Sequence, residues 1–273
     1  MGIFCKQRSF RKRLHLDKVT ADSDWQGIHC RYFTPLADML SRPHLLIGGT
    51  TGSGKSVLIN DLMYTALMRP PTMASFVLID PKRVELKDYR NLPHTIAYAS
   101  EPDDIVATLQ TVVKAMDDRF KDMEARDQKV TDYSDVYVVI DEFADLITTS
   151  KKQVLPLLCR IAQLGRAAKI HLIMATQRPT RDIITGQIKV NIDARVALRC
   201  PTAQDSRNIM NLNGAERLPQ YGQGYYLTPE SNMPTLYEIP YIPEADIRER
   251  IAYWMTQSRR HPRFCPSFFC KAI

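Results

Sequence analysis

The sequence predicts an α/β fold, with a mostly parallel sheet covered by helices on both faces. Apolar runs without polar alternation recur from residue 44 onward, and stretches with helical spacing separate them. Strands that are buried on both faces have this pattern, and helical crossovers between strands make them parallel. The chain has 273 residues, of which 44% are hydrophobic and 25% charged. Such a chain can bury a large core without a metal or disulfide staple.

The first half of the predicted fold alternates strand and helix. Residues 44–48 form an apolar run before a glycine-rich turn, and leucines that recur on one side predict a helix over 55–67. A second apolar run predicts a strand over 75–79. The spacing over 103–124 is that of a long amphipathic helix. We therefore expect two strand–helix units before residue 125.

The second half continues the alternation. Residues 136–140 are five consecutive apolar residues and predict a buried strand. A helix is predicted over 154–168, and the next strand over 171–175. The sequence then predicts a strand over 195–198 and a short helix over 205–212.

We expect three segments along the chain: a basic N-terminal segment (1–43), a core domain (44–229) and a C-terminal segment with a basic tail (230–273). The formal net charge is +7, of which the first 20 residues carry +5 and residues 256–273 carry +4. The rest of the chain is therefore slightly acidic. These two ends, called the basic tails below, are interpreted either as solvated termini or as contacts for phosphates or lipid headgroups.

The expected location is the cytoplasm, with a possible peripheral position at the inner face of the membrane. The six cysteines form no CxxC pair, which favours reduced thiols. No apolar window approaches the roughly 18 residues that a membrane-spanning helix needs.

Residues 49–56, Gly49-Thr-Thr-Gly-Ser-Gly54-Lys55-Ser56, match the phosphate-loop pattern GxxxxGK[ST] between a predicted strand and a predicted helix. The glycines let successive backbone N–H groups face a phosphate at a helix N-terminus. Lys55 places a positive charge between the β- and γ-phosphates, and the Ser56 hydroxyl is a ligand for Mg²⁺. The predicted nucleotide-binding residues are Gly49, Thr50, Thr51, Gly52, Ser53, Gly54, Lys55, Ser56 and Val57.

A phosphate loop alone also fits a small-molecule kinase or a GTPase, and the two acids after the strand at 136–140 separate these alternatives. Asp141 is predicted to hold the Mg²⁺ shell together with Ser56, while Glu142 polarises a water for attack on the γ-phosphate. Hydrolysis needs this second carboxylate. Because no guanine-reading Asn-Lys-x-Asp pattern occurs, ATP is preferred over GTP.

Polar residues also follow the strand at 171–175. Gln177 is predicted to lie beside the γ-phosphate as a sensor. The alternative is that Gln177 belongs to an ordinary turn before Pro179.

The ordered motifs of the chain resemble those of the FtsK/SpoIIIE family of DNA translocases, over about residues 40–228. The similar stretches are residues 43–56, 77–82, 141–146, 165–171, 175–180, 184–189, and 205–207 through 214–216.

The resemblance implies a RecA-like P-loop NTPase subunit of a hexameric ring that pumps double-stranded DNA through its channel with ATP. It identifies Arg166 as the arginine that acts on the nucleotide of the neighbouring subunit. It also suggests Arg178, Lys189 and Arg207 as contacts for DNA phosphates, although each could instead form a surface ion pair. Residues 176–207 carry a net charge of +3, which is consistent with contacts to the DNA backbone.

The chain departs from the family pattern at several points. Lys169 replaces a usual glycine. Ala203 stands where a loop lysine is common, and the loss of this cation predicts weaker binding of DNA phosphates. The connection at 125–135 is shorter than in the family. We expect neither the family's winged-helix domain after residue 273 nor its membrane anchor before the motor, and therefore a mobile-element, plasmid or phage context.

Two other functions remain open at this point. The chain could be the cytosolic coupling or packaging ATPase of a conjugation or phage DNA-transfer machine, with a membrane channel or a relaxosome as partner. It could also be an ATP-gated DNA-binding module that does not translocate, although Glu142 and Arg166 favour an enzyme.

Overall fold

One sheet organises the computed structural model, which describes residues 34–231 and 233–260. Its strands are β1 (His44–Gly48), β2 (Ala74–Ile79), β3 (Thr95–Ala99), β4 (Asp135–Ile140), β5 (Ile170–Thr176), β6 (Ala194–Ala197), β7 (Gln223–Leu227) and β8 (Thr235–Glu238). The strand order is β3-β2-β4-β5-β1-β6-β7-β8. The pairs from β3 to β6 are parallel, whereas β6–β7 and β7–β8 are antiparallel.

Helices cover both faces of this sheet. They are α1 (Thr34–Ser41), α2 (Lys55–Ala66), α3 (Pro102–Ala125), α4 (Phe143–Leu164), α5 (Gly186–Asn191), α6 (Ala203–Met210) and α7 (Glu244–Arg260). Successive side chains of a strand point to opposite faces, and in β1 Leu45 and Ile47 join the core under α1, α2 and α7. Leu46 joins the core under α3, α4, α5 and α6. The predicted α/β fold with a mostly parallel, doubly covered sheet is confirmed.

The predicted helix over 154–168 is wrong at both ends. In the structure α4 begins at Phe143, directly after the two acids, and ends at Leu164. A break at Ser150, with φ −137° and ψ 34°, divides it into two helical parts, so no single periodic pattern covers both. Gly165 follows as the C-cap residue, and its N–H donates to the Ile161 carbonyl at 2.7 Å.

The two edge strands β3 and β8, and β7 beside β8, have no counterpart among the predicted elements. Most side chains of β3 are only half-buried, and β8 is largely exposed. Strands at a sheet edge need few apolar side chains, so their sequences lack the apolar runs that mark the central strands.

Residues after position 229 pack on the same core as the strands before them. Tyr237 of β8 and Trp254 of α7 are buried beside α2, and the Trp254 indole N–H donates to the Leu67 carbonyl at 2.8 Å. The segment boundaries at 43 and 229 stay predictions. The basic tails lie outside the described residues, apart from the last turn of α7.

Within residues 34–231 and 233–260, no helix is both long enough and apolar enough to cross a membrane. Cys159 and Cys200 are free thiols, and the other four cysteines lie outside the described residues.

Candidate nucleotide-binding and catalytic site

The phosphate loop leaves the carboxyl end of β1, next to the carboxyl ends of β5 and β6. The Gly49 N–H donates to the Thr176 carbonyl at 3.2 Å, and the Thr50 N–H donates to the Arg199 carbonyl at 2.9 Å. Gly52 and Gly54 have φ of 75° and 95°, a left-handed backbone that residues with a Cβ rarely adopt. The neighbouring strands therefore hold the start of a tight loop that depends on its glycines.

The loop ends at the first turn of α2, where backbone N–H groups lack partners within the helix. Gly54 precedes the helix and no side chain caps it. The Ser53 hydroxyl is buried without a hydrogen-bond partner in the described part of the chain. A phosphate group binds where free N–H donors meet the positive end of a helix dipole. The space between the phosphate loop and the first turn of α2 therefore fits the triphosphate of a nucleotide.

Lys55, at the start of α2, and Asp141, after β4, form a buried ion pair beside the phosphate loop. The Lys55 ammonium contacts the Asp141 carboxylate and also donates to the Asp141 backbone carbonyl at 2.9 Å. The two side chains are 3% and 2% exposed. Because both charges are removed from water, each needs the other or a replacement partner. The carboxylate and the hydroxyl of Ser56, the next residue of α2, are oxygen ligands of the kind that Mg²⁺ prefers.

Glu142 is held by the end of β5, which lies between β1 and β4. One oxygen of its buried carboxylate accepts a hydrogen bond from the Thr176 hydroxyl at 2.6 Å, and the other accepts one from the Gln177 N–H at 3.0 Å. The Gln177 side-chain oxygen in turn accepts a hydrogen bond from the Thr51 hydroxyl at 2.8 Å. Gln177 thus joins Glu142 to the phosphate loop, while its role as a sensor stays a prediction.

Lys82 belongs to this site and was missed in the sequence. Its ammonium lies 3.6 Å from the Glu142 carboxylate and 3.8 Å from that of Asp145. The loop that carries it is fixed by Asp80, a fully buried acid whose carboxylate accepts from the Leu86 N–H at 3.0 Å. The signal was present, because an acid directly follows the buried strand β2 and the lysine comes two residues later.

Arg166 lies at the amino ends of the parallel strands, opposite the carboxyl ends that carry the phosphate loop and the acidic pair. It is exposed in the turn of residues 165–169, called the Arg166 turn below, which leads into β5. The Asp141 and Glu142 carboxylates lie beyond the other end of this strand. At ~3.3 Å per residue, β5 separates Arg166 from them by about 20 Å. The structure therefore does not bring Arg166 together with the nucleotide site of the same chain.

The Arg166 turn has little conformational freedom. A Cβ on Gly165 would lie 2.4 Å from the Ile170 carbonyl oxygen, so only glycine fits there. Lys169, at the position of the usual family glycine, has a left-handed φ of 52°. A side chain in this conformation stores strain, which explains why a glycine is common at the position.

Arg178, Lys189 and Arg207, called the loop cations below, lie after β5, in α5 and in α6. Arg178 and Arg207 are exposed. Lys189 is half-buried, and its ammonium donates to Asn211 Oδ1 at 3.2 Å and to the Arg207 carbonyl at 3.4 Å. Burial, together with the nearby charges of Arg195 and Arg181, lowers the Lys189 pKa. Lys189 and Arg207 therefore lie close together, and Lys189 already has partners within the protein.

Fold and site together define a RecA-like P-loop NTPase. The sheet is mostly parallel, the phosphate loop follows β1, and an acidic pair follows β4 with one strand between them.

The chain belongs to the FtsK/SpoIIIE family, whose family model matches residues 6–135 and 122–181. DNA translocase FtsK of Listeria monocytogenes is 36% identical over 245 residues, which cover 82% of this chain and 32% of that protein. DNA translocase FtsK of Helicobacter pylori is 37% identical over 237 residues, covering 81% of this chain and 28% of that protein. The chain thus spans about a third of the length of these relatives.

A solved structure with a similar fold is the pCW3 conjugation coupling protein TcpA in its monomer form. It has a TM-score of 0.69 and 22% sequence identity, covering 79% of this chain and 66% of that one. At this identity the likeness concerns the fold alone.

Proposed function

We propose that this chain is an ATP-hydrolysing motor that moves double-stranded DNA as a subunit of a ring, which we expect to be a hexamer. The observation that carries the proposal is the arrangement of Glu142 beside the phosphate loop. Its carboxylate is bound by Thr176 and Gln177, and the next residue is Arg178, the first of the loop cations. The same few residues thus adjoin both the hydrolytic carboxylate and the proposed DNA contacts.

The chain's own residues account for nucleotide binding and hydrolysis. ATP with Mg²⁺ would supply the transferable phosphoryl group and a cation that offsets its charge. Lys55 and the first turn of α2 bind the phosphates, while Ser56 and Asp141 provide oxygen ligands for the metal. Glu142 accepts the proton of the attacking water, and Gln177 contacts the terminal phosphate region.

The position of Arg166 supports a ring. An exposed guanidinium about 20 Å from the nucleotide site of its own subunit cannot stabilise charge there, because one strand of seven residues separates them. In a head-to-tail ring the same edge faces the phosphate loop of the neighbouring subunit. Arg166 then stabilises the charge on the departing phosphoryl group in trans.

The loop cations are proposed to contact DNA phosphates rather than bases. A motor that passes along any sequence needs contacts that carry no sequence information, and phosphate contacts have this property. The alternative within the same class is a coupling or packaging ATPase that docks on a membrane channel or a relaxosome. The net charge of +9 in the basic tails favours that candidate, and it predicts binding of the protein to anionic vesicles.

The test is the ATPase rate with and without duplex DNA, measured together with the mass of the assembly by analytical ultracentrifugation. We expect duplex DNA to stimulate hydrolysis by an oligomer, and Lys55→Ala to abolish both nucleotide binding and turnover. Hydrolysis that is indifferent to DNA at every protein concentration would contradict the proposal. Stimulation by anionic vesicles instead of DNA would favour the coupling alternative.

A further inference from the structure

Arg119, in the C-terminal half of α3, is a fully buried arginine that bonds to backbone far away in the sequence. It is 0% exposed. Its guanidinium donates to the Ala168 carbonyl at 2.5 Å and to the Ser134 carbonyl at 3.1 Å. The guanidinium carbon also lies 5.2 Å from the centre of the Tyr133 ring. Arg119 therefore connects α3 to the Arg166 turn and to the segment that leads into β4.

The Arg166 turn is held from outside at three consecutive carbonyls, the last of which is that of Lys169, which accepts a hydrogen bond from the Val136 N–H at 2.9 Å. The Ala167 carbonyl accepts a hydrogen bond from the Thr131 N–H at 3.2 Å, and the Ala168 carbonyl accepts the bond from Arg119. Within the turn, the Lys169 N–H donates to the Arg166 carbonyl at 3.2 Å. The backbone on the C-terminal side of Arg166 is thus anchored, while the Arg166 side chain itself is exposed.

The cost of this arrangement argues against a purely packing role for Arg119. Burying a guanidinium removes a charge from water, and an apolar side chain of similar length would fill the same volume without that cost. The Arg166 turn also contains Lys169 in a strained conformation, which persists only where surrounding contacts impose it. A charged donor that reaches the Ala168 carbonyl is such a contact.

We propose that Arg119 is a positioning residue for Arg166, which fixes the turn that presents the Arg166 guanidinium to the neighbouring subunit. This inference rests on the proposed function. The two carbonyls that Arg119 binds, those of Ser134 and Ala168, precede β4 and β5, at the opposite end of these strands from the acidic pair and the phosphate loop. Loss of Arg119 therefore impairs hydrolysis in the neighbour and leaves nucleotide binding in its own subunit intact.

The expected effect is a loss of turnover without a loss of binding. A catalytic group displaced by about 1 Å can lower the rate by about 100-fold. We therefore expect Arg119→Met to lower DNA-stimulated kcat by about 10- to 100-fold, with the nucleotide Kd unchanged within about twofold. Arg119→Lys keeps the charge and can still donate to the Ala168 carbonyl, so its kcat should lie between those of Arg119→Met and the wild type.

The decisive experiment mixes subunits. Lys55→Ala subunits cannot hydrolyse ATP but carry an intact Arg166. Arg119→Met subunits have an intact phosphate loop, so hydrolysis should reappear where their nucleotide faces the Arg166 of a Lys55→Ala neighbour. Arg166→Ala subunits are the reference, because they should be rescued in the same way. Native mass spectrometry verifies that the rings are mixed.

A matched control separates positioning from general stability. Arg69 is a partly buried arginine that also bonds to backbone, since it donates to the Met73 carbonyl at 3.0 Å. It forms an ion pair with Asp135 as well, and none of these partners belongs to the Arg166 turn. Arg69→Met should lower the melting temperature as Arg119→Met does, while keeping kcat near the wild-type value at an assay temperature where both are folded.

The outcomes distinguish the positioning role of Arg119 from the action of Arg166 on the neighbouring subunit. Rescue of both Arg166→Ala and Arg119→Met supports the positioning role. Rescue of Arg166→Ala alone overturns it and leaves the proposed motor intact. No rescue of either variant in verified mixed rings overturns the action of Arg166 in trans, and the role of Arg119 with it. If Arg119→Met does not fold, Arg119→Lys takes its place in the same mixture with the same interpretation.

Discussion

Replacement of Glu142 by glutamine tests whether this carboxylate is the base of the hydrolytic reaction. Glu142→Gln keeps the shape of the side chain and removes its charge. We expect the variant to bind ATP as the wild type does and to lose turnover. The reason is that Lys55 and the phosphate loop are untouched, whereas an amide cannot take a proton from water.

The magnitudes follow from the contacts of the carboxylate. Glutamine keeps one acceptor oxygen, so one of the hydrogen bonds from Thr176 and Gln177 is lost, at a cost of about 1 kcal/mol. The 3.6 Å contact with Lys82 adds little, because the Lys82 side chain is 43% exposed. In contrast, loss of a general base lowers the rate by roughly 100- to 10,000-fold, or about 3 to 5 kcal/mol in the barrier.

Fluorescent-nucleotide binding, steady-state hydrolysis and thermal melting together form the assay. Asp145→Asn is the matched control, since Asp145 lies 3.8 Å from the same lysine but makes no hydrogen bond to Gln177. The control should keep hydrolysis within a few-fold of the wild type. A Glu142→Gln variant that loses nucleotide binding together with turnover, or that keeps more than a tenth of the wild-type rate, would refute the assignment.

Three further predictions concern other parts of the molecule. Lys169→Gly should stabilise the fold by about 0.5 to 1 kcal/mol, because relief of the strain of a left-handed backbone at a residue with a Cβ exceeds the entropy that glycine adds to the unfolded chain. Thermal melting checks this, and a lower melting temperature would contradict it. Burial raises the pKa of Asp61, on α2, from its ordinary 3.8 to about 8, so the folded protein retains a proton that the unfolded chain releases. Stability should therefore fall as pH rises between these two values, and urea unfolding of Asp61→Asn should show a flatter pH dependence. Neutralising each loop cation should reduce the slope of log K against log salt for duplex binding by about one per phosphate contact, whereas a slope that changes only when the basic tails are deleted would assign DNA binding to the tails.

The chemistry of the site could be predicted because its signals are local in the chain. The phosphate loop is eight consecutive residues, and Asp141 and Glu142 directly follow an uninterrupted apolar run. In a parallel sheet, residues that follow buried strands collect at the same edge. The loop, the acids and Gln177 were expected around the same phosphates, and in the structure they lie together at the carboxyl ends of β1, β4 and β5.

Other features could not be predicted because they depend on partners far apart in the sequence. Lys82 belongs to the site because the loop after β2 directs it at Glu142, 60 residues later. The bond between Arg119 and the Ala168 carbonyl spans 49 residues. The break in α4 at Ser150 divides a helix whose first half shows no periodicity that continues into the second. Helix and strand propensities and the spacing of residues along the chain do not predict such long-range contacts.

The sequence by itself predicted the fold class, the phosphate loop and the acidic pair Asp141 and Glu142, because apolar runs and short motifs act through neighbours along the chain. Tertiary structure alone decided that β5 lies between β1 and β4, so that Gln177 joins Glu142 to the phosphate loop. It also decided that Arg166 lies at the amino ends of the parallel strands, away from the phosphate loop. Strand order is set by which helices pack on each face and which strands pair, and these are long-range interactions that no local pattern contains.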